Sequence, residues 1–65
     1  MENNLAVNNY PYLLTRKEAA TFLGIDPKSF DKHFRSHNDF KRFMIGGHER
    51  YTISFMMEFI NKNHV

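Results

Sequence analysis

The chain has no cysteine and no tryptophan, and only three glycines and two prolines in 65 residues. Without thiols there is no disulfide framework and no thiolate metal site, and nothing points to an oxidising compartment, so a cytoplasmic location is expected. No apolar run approaches the ~20 residues that a spanning helix needs, and the start MENNLAVNN lacks the basic opening and long apolar stretch of a signal peptide. No membrane partner is expected. Length is scarce too: a chain this short forms one domain and buries only about 60% of the surface its unfolded form exposes, which leaves little room for a catalytic cleft.

What is present favours a packed core. Hydrophobic residues make up 42% of the chain and aromatics 15%, with seven phenylalanines, which argues against disorder. The formal net charge is only +2, but the sequence pI is near 9.2 and the cations are unevenly placed. Between Lys28 and Arg50 stand Lys28, Lys32, Arg35, Lys41, Arg42 and Arg50 against Asp31, Asp39 and Glu49, with three histidines interspersed. The basic excess therefore sits in the middle of the chain, where it bears on partners rather than on fold.

Residues 1 to 10 are Asn-rich and poorly patterned, and are expected to form a flexible N-terminal arm, with a single domain over 11 to 65. The stretch YLL is a candidate short strand. TRKE then fits a capping box in which the Thr15 hydroxyl and the Glu18 carboxylate each satisfy a backbone N–H, with Leu14 placed to staple against Ala19. Ala19, Phe22 and Leu23 follow at helical spacing, and Gly24 suits a left-handed cap. Only Ile25 separates it from Asp26, a good N-cap, and Pro27, at the favoured first helical position. Two short helices thus meet across a tight glycine turn, a pattern shared by helix-turn-helix units and by small helical bundles.

Downstream, FKRFMI and HERYT read as two strands around Gly46-Gly47. A two-residue turn would set Phe43 opposite Arg50. A three-residue loop, Gly46-Gly47-His48 with a bulge, turns Phe43, Ile45 and Tyr51 to one apolar face, and is the expected register. Ser54 can cap a last helix with a Met56, Phe59 and Ile60 stripe, leaving Phe55 and Met57 as a candidate partner contact or as core beneath the arm.

On a wheel of about 100° per residue, Phe30, His33 and Phe34 define an inward face of the second helix, while Lys28, Lys32 and Arg35 lie opposite. Such a stripe suits a DNA major groove, where Lys and Arg reach phosphates or guanine edges, and the alternative is a solvated face with Asp31 pairing to Arg35. A hairpin with a small tip, flanked by His48 and Arg50 with Arg42 nearby, can approach the backbone or minor groove beside it. His33 and His37 have the spacing of helical metal ligands but no third ligand, and Ser29 with His33 lacks an orienting acid, so neither a metal centre, a cofactor nor catalysis is expected.

LLTRKEAATFLGIDPKSFDKHF followed by FMIGGHERYTIS resembles the small winged helix-turn-helix domains of phage and mobile-element excisionases, relatives of the MerR DNA-binding domain. The likeness spans residues 12 to 60. It implies an α+β fold of three helices with a two-stranded wing, Lys28, Ser29, Lys32 and Arg35 facing the major groove, and Gly47, His48 and Arg50 as wing contacts. It further implies a recombination directionality role on double-stranded DNA: copies bind side by side, bend an attachment site and assist an integrase of the tyrosine recombinase type. A small phage or plasmid repressor and a protein-interaction adaptor are the alternatives. Two positions depart from the family pattern: His33 replaces an aliphatic residue, and Asp31 puts an acid where a basic or neutral one is usual.

Overall fold

The local signals at the start of the first helix are realised atom by atom. The Glu18 N–H donates to the Thr15 hydroxyl at 3.2 Å, and the Thr15 N–H donates to the Glu18 carboxylate at 2.9 Å. A computed structural model describes residues 11–63 of this protein; the expected arm lies outside the described residues. In order it contains α1 (Arg16–Leu23), α2 (Pro27–Phe30) continuing into a π-helical turn (Asp31–Arg35), β1 (Phe43–Ile45), β2 (His48–Arg50) and α3 (Ile53–Asn63). The fold is a small α+β one, three helices with a two-stranded antiparallel hairpin.

Gly24 closes α1 with φ of 77°, and the Ile25 N–H reaches back five residues to the Ala20 carbonyl at 3.0 Å, the wider-spanning of the two bonds of a glycine-type C-cap. Asp26 caps α2 through the Ser29 N–H, with Pro27 in the first turn. Leu14 does not form a strand of its own, but its N–H and carbonyl both pair with Tyr51, which ties the entry to α1 to the end of the hairpin. The cap of α3 differs from expectation: the Thr52 hydroxyl, not that of Ser54, accepts the Phe55 N–H at 3.0 Å. Ser54 already lies inside the first turn.

The core is Leu14, Ala19, Ala20, Phe30, Phe40, Tyr51, Met56 and Phe59. Its centre is aromatic, with Phe30 5.1 Å from Tyr51 and 5.5 Å from Phe34 between ring centroids, and Phe40 5.2 Å from Phe59. Such offset and edge contacts add to the burial term for each ring. The π-helical turn shapes this centre. Each residue in it advances by less than the angle of an α-helix, so Phe34 stacks beneath Phe30 while His33, expected on the inward face, stands exposed.

The hairpin register corrects the three-residue loop. Phe43 pairs with Arg50, Met44 with Glu49 and Ile45 with His48, so the turn is the two glycines alone, at φ of 54° and 82°. Two consecutive positive φ values define the mirror-image turn whose twist matches that of the strands, and glycine adopts both without strain. A shift of one residue exchanges the two faces. Arg42, Glu49 and Tyr51 therefore face the body of the protein, and Phe43 and Ile45, expected in the core, are 50% and 46% exposed.

Candidate nucleic-acid interface

The second helix carries two kinds of cation. The side chains of Lys28 and Lys32 are exposed and make no hydrogen bond or ion pair with another described residue. Ser29, between them, donates its hydroxyl to the Asp26 carboxylate at 2.7 Å and is committed to the cap. Arg35, the third cation expected on the stripe, is turned aside by the π-helical turn: it donates to Asp31 at 2.7 Å and to Glu49 of β2 at 3.1 Å. Arg16, from α1, donates twice to the same Asp31 carboxylate, at 2.8 Å each. Asp31 is thus the node joining α1, α2 and, through Arg35, the hairpin.

The ladder continues through Glu49, which also accepts a hydrogen bond from the Tyr51 hydroxyl and has Arg42 3.7 Å away. Arg42 does more than extend the ladder. Its Nη2 donates to the carbonyls of Arg35, His37 and Phe40 at 3.0, 2.9 and 3.2 Å, and its guanidinium lies over the Phe40 ring. Those carbonyls lie at and beyond the helix end, where a cation is favoured. The arginines Arg16 and Arg35 hold the Asp31 carboxyl well below the usual carboxylate range, and the Tyr51 hydroxyl, then Arg35, lower that of Glu49. Burial, then the bond to Glu49, pushes the Tyr51 phenol up to about 12.

Of the residues expected on the wing, Gly47 and His48 are exposed at the hairpin tip and its second strand, and Arg50 is half-buried with its Nη1 on the Glu49 carbonyl at 2.7 Å. They line a groove of about 460 Å³ together with Arg35 and the first turn of α1, where Arg16 and Lys17 stand. These two α1 cations were absent from the expected site because TRKE reads first as a capping signal. The signal that could have found them is their sign: the first turn of a helix disfavours cations, so a basic pair there calls for a partner.

The outer face of the hairpin carries Phe43 and Ile45 beside their cross-strand partners Arg50 and His48. Phe43 lines a groove of about 390 Å³ with Tyr12, Leu13 and Phe55. Met57, expected to act with Phe55, is exposed elsewhere: two positions apart on a helix is about 200° around it. His33 and His37 flank another surface groove with Phe59, and among the described residues no group of three or more metal-binding side chains occurs. No helix among them is long and apolar enough to cross a membrane. Comparison with protein-family models, with curated proteins and with solved structures gives no match.

Proposed function

We propose that this protein is a winged helix-turn-helix DNA-binding domain without catalytic activity, with α2 as the helix presented to the major groove and β1-β2 as the wing. The observation that carries the reading is that Lys28 of α2 and Lys32 of the turn continuing it have exposed side chains with no ion-pair partner among the described residues, in a molecule where Arg16, Arg35 and Arg42 are all engaged by protein acceptors. Lysines left open on a helix to which the hairpin is braced by Arg35 and Glu49 give a duplex a basic helix face with a wing beside it. Within that class the resemblance of its motifs favours an excisionase: copies bind and bend attachment-site DNA and assist an integrase. A small repressor would use the same surface.

A salt series of duplex titrations tests the class. Log affinity falls with log salt at about 0.9 per phosphate contact, so a slope of several units is expected. Binding that is nearly independent of salt, or carried by the Tyr12, Phe43 and Phe55 groove, would replace this reading with the adaptor one. The mobility of permuted fragments separates the roles: a bent duplex carrying several copies supports the excisionase.

A further inference from the structure

Lys17 and Arg16 have no part in the surface just described, yet the fold brings them against the hairpin in the groove that also contains Arg35, His48 and Arg50. Four permanent cations line it against one carboxylate, Glu49, whose charge is already shared among Tyr51, Arg35 and Arg42. Two of the guanidiniums are pre-positioned. Asp31 holds Arg16 through Nε and Nη2, and Asp31 and Glu49 hold Arg35 through Nη1 and Nε. Each keeps N–H donors that these bonds do not use, and each remains partly open to solvent, with 45% and 33% of its side chain exposed. Lys17 is exposed, pairs with no other described residue, and occupies a helical turn where a cation is unfavourable unless an anion accompanies it.

We propose that this groove is a seat for one phosphate group, formed by α1 and β2 and separate from the lysine face of α2. It rests on the DNA reading above for its source, a backbone phosphodiester of the bound duplex. Arg16 and Arg35 supply fixed donors, because the carboxylates have already ordered them. Lys17 and Arg50 close over the anion from either side, and Gly47 keeps the hairpin tip narrow. A phosphate here would clamp the duplex between the first helix and the wing and set the depth at which α2 enters its groove.

The test measures duplex affinity across a salt series for the full chain and for Lys17→Ala, alongside Lys32→Ala. Lys17 is exposed, so the variant is expected to fold, which its circular dichroism and thermal melting check. The expected result is a slope lower by about 0.9 in log affinity against log salt, with the ranking of duplex sequences unchanged. An unchanged slope in Lys17→Ala, with Lys32→Ala still weakened, overturns the phosphate seat and leaves the DNA reading standing. Should no duplex bind, the DNA reading fails, and titration of the labelled chain with inorganic phosphate decides the seat alone. Amide shifts centred on Lys17, Gly47 and His48 would keep it as a site for free phosphate; shifts absent there would overturn it.

Discussion

Lys28 and Lys32 project from the second helix into solvent, whereas Arg35, at the helix end, and Arg42, just before β1, are fastened to protein acceptors. All four count equally in the formal charge. The physical difference lies in geometry and chemistry: a guanidinium offers several N–H donors in a planar fork and can bridge a carboxylate and a carbonyl at once, while an ammonium is a compact, strongly hydrated charge. Arginine is accordingly spent on holding the hairpin to the helix, and lysine is left for contact with something outside. Charge on a face is not the same as charge available to a partner.

Breaking the fastened pair should have the larger effect on stability. Arg42→Ala strips one guanidinium from three carbonyls and from the Phe40 ring, and is expected to lower unfolding stability by about 1–3 kcal/mol in urea denaturation. Arg35→Ala removes two partly exposed ion pairs and should cost about 1 kcal/mol. It should also loosen the hairpin, visible as faster amide exchange in β2. Restoring charge alone with Arg35→Lys should recover little, because the fork and not the charge spans Asp31 and Glu49.

The ladder predicts a pH dependence at both ends. The folded Tyr51 phenol is raised above its ordinary value near 10, so the stability it contributes is complete below that value and is lost as pH rises towards about 12. Melting temperature should therefore drop across that window in the parent and less so in Tyr51→Phe. Asp31 and Glu49 are depressed, so their contribution is complete above the ordinary carboxylate range and fades as pH falls below it. The smallest effect on stability belongs to the open pair. Lys28→Ala and Lys32→Ala should each change it by no more than about 0.5 kcal/mol, yet each should weaken duplex binding in mobility-shift titrations.

The features that could be read from the chain are those decided within a few residues. The Thr15 capping box, the Gly24 left-handed cap and the Asp26-Pro27 start need only local backbone geometry, and all three are present. The hairpin register was not legible, because it depends on which face is buried. Apolar Phe43, Ile45 and Tyr51 argue for the register that puts all three on one face, but the protein buries only Tyr51 of the three and turns a polar pair, Arg42 and Glu49, inward with it. Phe40 reads as the first residue of the strand FKRFMI, but the strand begins at Phe43, and Phe40 sits in the preceding bend with its ring in the core. The π-helical turn leaves no glycine or proline mark, and it is what moves His33 outward and Arg35 away from the lysines. The lysines themselves, preceding most of that turn, keep the exposure the wheel assigns them.

The most direct test of the proposed interface is to add duplex DNA to the isotopically labelled chain and map which amides shift. The largest changes are expected at Lys28 on α2 and Lys32 in the turn that continues it, with Gly47 and His48 at the hairpin tip, all quenched by raised salt. Shifts confined to Tyr12, Phe43 and Phe55, or none at all, would contradict that interface.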